Sequence, residues 1–406
     1  MFIASYPLLP YLYKLIKKPE AREEARAAWA KKYSTPFVTL KSGDDRPFIL
    51  GRGLGEGGFG EVYETKLGGT VVALKRTRIP RGRLRPQHTA EIELLEEMSH
   101  NRHRHIIELI GAYILPGIQT EVGLLLWPIA QYDLARLLAQ LEAMNDLINH
   151  PDETSPPRED QKDALMELRA FTELPVLNTD ELSPRYWYQL VRETHLRALL
   201  RLQCSIGCIA QAVNYLHNEQ KIRHKDLKPS QVLVSANGLW LTDFGWSLDI
   251  SKEDNSVTSN GDRITLKYHA PERHAMEPCG RSEDIFGLGC IFLEVGIVVC
   301  KKTRELIWNP NKEQGWSYQA NLDNKDRWLN HLRDHPTGIR FGQMKALIGS
   351  MLERNPGQRP SMSQVTRILK RLERESTGAF QTRVESQGGT FFDRCCTPSL
   401  MGHEGS

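Results

Sequence analysis

The sequence has no surplus of charge of either sign. Across 406 residues, 53 Lys and Arg stand against 50 Asp and Glu, a formal net charge of +3. That balance leaves no electrostatic footprint for nucleic acid, which asks for a basic patch or stripe. Cysteine is scarce. The seven residues Cys204, Cys208, Cys279, Cys290, Cys300, Cys395 and Cys396 are too sparse and irregular for a disulfide framework. They fit a reducing, intracellular setting, cytoplasmic or nuclear. Cys204 and Cys208 lie four apart on a predicted helix, which is half of a metal site. No His or Cys pair in the sequence is placed to complete it, so a packed face is expected. No apolar run reaches the roughly 18–20 residues that span a bilayer, so no transmembrane segment is expected. The apolar stretch from Met1 to Ile16 is shorter and is interrupted by Pro7 and Pro10. It lacks a basic leader and a small-residue cleavage site. A docking segment, an unstructured leader and a membrane-touching anchor are its readings. There is no internal repeat.

What is present is ordinary globular composition, 40% hydrophobic and 25% charged. Residues 18–33 are Ala-rich and charged on most faces, which predicts an exposed helix held by i,i+4 pairs. From Phe48 glycines cluster, and short β-like runs follow at 61–65 and 70–76. A helical pattern covers 88–98. Apolar runs at 106–114 and 123–129 come next. Beyond Asp133 helical spacing dominates, at 204–217 and at 285–299, the latter apolar nearly all round. Strands first and helices later predict an α+β protein in two lobes. Residues about 146–186 are rich in Pro, Asp, Glu and Asn and are expected to be an exposed insertion, partly loop. The tail from about 375 is Gly-, Ser- and Thr-rich and is expected to be disordered.

The chemistry-bearing motifs begin with Leu54-Gly55-Glu56-Gly57-Gly58-Phe59-Gly60-Glu61-Val62. Alone this pattern is weak. In a dinucleotide fold the glycines open a helix. Here a strand, a turn at Gly68-Gly69 and another strand follow. A hairpin with a glycine tip lets backbone N–H groups approach phosphate with no Cβ in the way. Val72-Ala73-Leu74-Lys75 ends the next strand with a lysine. A helix with Glu91, Glu93, Glu96 and Glu97 follows, and a Lys–Glu pair would fix the ammonium against phosphate oxygens. Glu91 is the favoured partner. His224-Lys225-Asp226-Leu227-Lys228-Pro229-Ser230-Gln231 is followed by Thr242-Asp243-Phe244-Gly245. These supply a carboxylate to take a hydroxyl proton, a second to hold Mg²⁺, and a lysine between them to neutralise phosphate charge.

Taken together the motifs resemble the eukaryotic protein kinase family over about residues 49–374. The glycine loop, Lys75, Glu91, the Asp226 loop, Asp243-Phe244-Gly245, Ala270-Pro271-Glu272, Asp284 and Arg359 follow in that family's order. The wording Ile222-Arg223-His224-Lys225-Asp226 resembles a filamentous-fungal group. The resemblance implies an N-lobe at 49–129 and a C-lobe at 130–374, with an extension at 1–48 and a tail at 375–406. It implies an ATP-dependent serine/threonine kinase that phosphorylates protein hydroxyls, with Asp226 as base and Lys228 on the γ-phosphate. Thr265 would bond Asp226 and Lys228, and Asp243 and Gln231 would ligate Mg²⁺ or Mn²⁺. Glu272 would pair with Arg359, and Asp284 would hold the catalytic-loop backbone. Leu95, Leu109, His224 and Phe244 would stack as a spine. The adenine pocket would be built from Leu54, Val62, Ala73 and Leu233, with Leu126 as gatekeeper. Trp127 C=O and Ile129 N–H would meet the base, and Asp133 the ribose. His105 matches a family histidine before the fourth strand, so His100, His103 and His105 are not expected to bind metal.

Two positions depart from the pattern. Gln231 stands where the family has asparagine, one methylene longer, and Mg²⁺ tolerates displaced ligands poorly. Lys225 replaces an arginine that pairs bidentately with an activating phosphate and so lacks the fork. The second reading, a pseudokinase serving as a nucleotide-binding scaffold or regulator, rests on Gln231.

Overall fold

The run Thr70-Val71-Val72-Ala73-Leu74 is apolar and partly β-branched, and it opens one of the two central strands of a six-stranded sheet in the computed structural model. The structure describes residues 19–57, 60–80, 87–130, 132–151, 157–175, 182–235, 238–245, 248–249, 263–307, 317–377, 390–393 and 395–396. The chain divides into two units, Met1–Asp133 with Leu233–Trp246, and Leu134–Val232 with Ser247–Ser406. The first division falls after Asp133, against an expected lobe boundary at 129. The segment carrying Asp243 returns to the first unit.

In the first unit the sheet runs β1 (Phe37–Thr39), β5 (Glu108–Leu115), β6 (Gln119–Trp127), β4 (Thr70–Pro80), β3 (Gly60–Leu67), β2 (Gly53–Gly57). All pairs are antiparallel except β1 with β5, where Phe37, Val38 and Thr39 oppose Ala112, Tyr113 and Ile114. Helix α1 (Pro19–Tyr33) precedes β1, and α2 (Gln87–His100) lies between β4 and β5. Opposed residues share a face of a sheet. Val62 opposes Lys75, and Ala73 opposes Leu126, so these four sit on one face.

The other face is where the expectation of an exposed N-terminal helix fails. Ala21, Ala25 and Trp29 of α1 are buried with Phe48, Val72, Leu74, Tyr113, Leu125 and Trp127. Spacings of four place the three α1 residues on one stripe, which charge-rich composition concealed. The Trp29 rings fill the space a Cβ on Gly111 would occupy, and Trp29 Nε1 donates to Thr35 O at 2.7 Å. Arg22 and Arg26 pair with Glu108 at 3.1 and 3.2 Å. Burying a side chain of tryptophan size stabilises by roughly 3 kcal/mol.

The second unit is helical. In α3 (Leu134–Asn149) the buried residues Leu134, Leu137, Leu138, Leu141 and Met144 recur every three or four positions. The long α5 (Pro184–Tyr215) starts on Ser183, whose hydroxyl accepts from Tyr186 N, with Pro184 at the first turn. Helix α6 (Ser282–Val299) is buried from Glu283 to Val299, as its all-round apolarity predicts. Helix α7 (Met362–Thr377) closes the helical run. Among the described residues one helix, Pro184–Gln220, has the length and hydropathy to cross a membrane, and it is mostly buried within its unit.

Two expectations are corrected here. Residues 146–186 are not an exposed insertion throughout: beside loop residues they contain α4 (Glu159–Phe171), whose Leu165, Leu168 and Phe171 are buried. The three apolar positions recur at helical spacing within a polar segment, so composition averaged them away. Residues 152–156 and 176–181 lie outside the described set. Nor is the tail beyond 375 wholly without order. Helix α7 runs to Thr377, and Phe391 and Phe392 are fully buried.

Candidate active site

Lys75 lies on β4 opposite Val62 and Leu124. Its Nζ donates to both Glu91 oxygens at 2.8 Å and to Asp243 Oδ1 at 2.9 Å. Glu91 is thus the partner among the four candidates on α2. Burial pulls the Lys75 pKa down, but the carboxylates of Glu91 and Asp243 outweigh it and hold it above the ordinary lysine value. The ammonium stays charged. Asp243 has φ +62°, a left-handed conformation in which aspartate is several-fold enriched among non-glycine residues. Phe244 behind it is buried, as are Leu95 and Leu109.

The glycine motif forms the predicted hairpin, with Gly57 opposite Gly60. Gly60 has φ +136°, and a Cβ there would strike the Arg76 carbonyl. Gly58 and Phe59 lie outside the described residues. Gly55 and Glu56 are exposed on β2, while Leu54, Val62 and Leu233 are half-buried. Ala73, Leu126 and Ile129 are buried. Trp127 sends its ring into the cluster on the opposite face, with Trp29 and Phe48. Asp133 pairs with Leu233 in a short ladder between β7 (Tyr132–Asp133) and β8 (Val232–Ser235), so two predicted nucleotide contacts are neighbours. His105 Nδ1 lies 2.8 Å from Leu239 O, a structural bond.

In the second unit Asp226 is buried and accepts from Lys228 Nζ at 2.7 Å. Gln231 Nε2 also donates to Asp226 Oδ2, at 3.2 Å. Both arms reach Asp226 because Pro229–Gln231 forms a single 3₁₀ turn. Asp284 of α6 sets the loop backbone. Its oxygens accept from His224 N and Lys225 N, each at 2.8 Å, and lie 2.8 Å from His217 Nε2. Burial opposes its charge, yet His217 and then the loop groups keep the Asp284 pKa below the usual carboxylate range. Lys225 has φ +69°, and its carbonyl accepts from Arg273 Nη1 at 2.8 Å. Arg359 grips Glu272 with two bonds of 2.7 and 2.8 Å, and both side chains are buried. The side chain of Thr265 and the hydroxyl-rich residues 250–262 lie outside the described residues.

Two groups escaped the sequence reading. Burial, and then Arg273, lowers His269 to about 4, so it is neutral beside the Asp226 loop at physiological pH. Glu294 on α6 is buried and accepts from Tyr268 and Tyr318 hydroxyls at 2.8 and 2.7 Å, with Lys267 at 2.9 Å and Arg304 at 3.2 Å. Its only sequence signal is a carboxylate within an otherwise apolar helix.

Comparison with known proteins matches residues 183–368 to the protein kinase domain. The chain is 26% identical over 373 residues to a putative L-type lectin-domain containing receptor kinase II.2 of Arabidopsis thaliana, covering 89% of this chain and 44% of that protein. It is 30% identical over 188 residues to a G-type lectin S-receptor-like serine/threonine-protein kinase of Oryza sativa subsp. indica, 44% of this chain and 23% of that one. An Aurora kinase of Patiria pectinifera is 27% identical over 253 residues, 61% and 47% of the two chains. The chain spans less than half the length of each of these relatives. The domain match and the likenesses support a protein kinase.

Proposed function

We propose that this protein is an ATP-dependent serine/threonine protein kinase, of the group whose catalytic-loop wording Ile222–Asp226 resembles that of filamentous fungi. The observation that carries the reading is the charged trio Lys75, Glu91 and Asp243, together with an Asp226 loop held from below by Asp284. Such a set suffices for phosphoryl transfer, which is chiefly positioning and charge compensation. Lys75 pairs with phosphate oxygens, and Glu91 keeps its ammonium in place. Asp226 orients a substrate hydroxyl and accepts its proton, while Lys228 compensates charge beside it. Asp243 carries a carboxylate and Gln231 an amide oxygen, each a hard donor of the kind Mg²⁺ prefers. A divalent ion, when bound, supplies Lewis-acid compensation of phosphate charge. Serine/threonine selectivity rests on Lys228 two residues after Asp226 and on Thr265. A relative named as a serine/threonine-protein kinase supports it. Cytoplasmic or nuclear residence remains part of the proposal, on cysteine usage alone.

Radiolabelled ATP with a generic basic protein, in Mg²⁺ and in Mn²⁺, tests this reading beside an Asp226→Asn control. Label on serine or threonine that vanishes in the control is the expected result. A second reading, a nucleotide-binding pseudokinase, draws on one observation: Gln231 spends its amide N–H on Asp226. Nucleotide binding with no transfer in either metal would select it.

A further inference from the structure

Three of the seven cysteines, Cys208 and the adjacent pair Cys395 and Cys396 far along the chain, meet in the second unit. Cys208 is buried on α5. Cys395 and Cys396 arrive on the returning tail, and the three Sγ atoms lie within 4.8 Å of one another. The Cys208 and Cys395 sulfurs are 3.6 Å apart. None of them is in a disulfide.

The tail is seated by specific bonds rather than by the thiols alone. Glu373 of α7 accepts from Thr390 N at 2.7 Å and from Phe391 N at 2.6 Å. Phe391 O accepts from Gly207 N at 2.7 Å. The Phe392 ring occupies the space a Cβ on Gly207 would take, so the residue beside Cys208 must be glycine for the tail to lie this close. Asp393 stands 3.6 Å from Arg201, and its carbonyl accepts from Cys396 N at 2.7 Å in a turn. That turn directs the adjacent Cys395 and Cys396 at α5.

We propose that Cys208, Cys395 and Cys396 form a thiolate site for a zinc-class divalent cation, which fastens the C-terminal segment to α5. Zinc bonds of about 2.3 Å to sulfur give an S–S edge of about 3.8 Å in a tetrahedron. The observed 3.6 Å matches that edge, and small rotations of half-buried Cys395 and Cys396 bring the third sulfur in. On binding, three S–H bonds break, three S–Zn bonds form and three protons pass to solvent, while a water or side chain takes the fourth position. An oxidised pair would use two of the three sulfurs; a soft cation uses all three. This site stands independently of any phosphotransfer.

The test is titration of the chelator-stripped full chain with Co²⁺. One equivalent should bind with a sulfur-to-metal charge-transfer band, and one equivalent of Zn²⁺ should displace it. Zn²⁺ should also raise the melting temperature and shield the tail from protease. Cys395→Ser with Cys396→Ser should abolish the band and weaken binding about a hundredfold or more. These positions are half-buried, so the variant folds even if Cys208→Ser does not. Absence of a stoichiometric band would overturn the proposal, as would a band that survives the double variant.

Discussion

The two units hold a buried charge in different ways. In the first unit a side-chain ammonium is held by two side-chain carboxylates, Lys75 by Glu91 and Asp243. In the second a buried carboxylate grips backbone amides, Asp284 on His224 and Lys225. Ion clusters have charge that a phosphate can share, and their geometry relaxes when a member is lost. Amides gripped by a carboxylate give position, and losing the carboxylate orphans several buried donors at once. Under the proposed function the first arrangement governs chemistry more than stability, and the second governs both.

The largest effect should come from Asp284→Ala. It strands two buried N–H groups and His217, and should destabilise by about 3–5 kcal/mol, with activity lost through unfolding. Denaturant melts of parent and variant measure this. Because its folded pKa is depressed, Asp284 stabilises fully above the unfolded carboxylate value, and that stabilisation fades as pH falls below about 4. A variant as stable as the parent would erase the contrast between units.

Asp226→Asn comes next. Turnover should fall about 10²–10⁴-fold, with nucleotide affinity and melting temperature near those of the parent. Equal turnover would remove Asp226 from its role. For Lys75→Met, a loss on the order of 10²–10³-fold is expected. The fold should persist, because the remaining carboxylates can take up a proton. A thermal melt run beside the kinase assay separates the two units' behaviour: an unfolded Lys75→Met protein would show that its ion cluster is structural after all.

The smallest effect is at Gln231. Gln231→Asn shortens the arm that now bonds Asp226 and should raise the Mg²⁺-dependent rate a few-fold, about 1 kcal/mol or less in barrier. The parent should work relatively better in Mn²⁺. Superimposable metal curves would show glutamine to be a full substitute.

The contacts that the structure shows among the proposed site residues were legible because each stands in a short local pattern whose chemistry is read without the fold. Lys75 ends a strand before a helix bearing Glu91, and Asp226 and Lys228 share one turn. Asp284 announced itself as a charge in an apolar helix. Glu294 carried the same signal and passed unread, since nothing in the sequence identifies Lys267, Tyr268, Arg304 and Tyr318 as its partners.

The sequence by itself determined that the glycine-rich strands come before the helix-rich half and which charged groups were there to pair, because periodicity and motif spacing are properties of neighbours along the chain. Only tertiary structure decided which surfaces were hidden. Trp29 sits over Gly111, closing the back of the sheet with a helix whose composition advertised exposure. Leu165, Leu168 and Phe171 turn a polar segment into a packed helix. Cys208 and Cys395 meet across 187 positions. Such contacts depend on apolar area and on shape between distant segments, and no window of local sequence records either quantity.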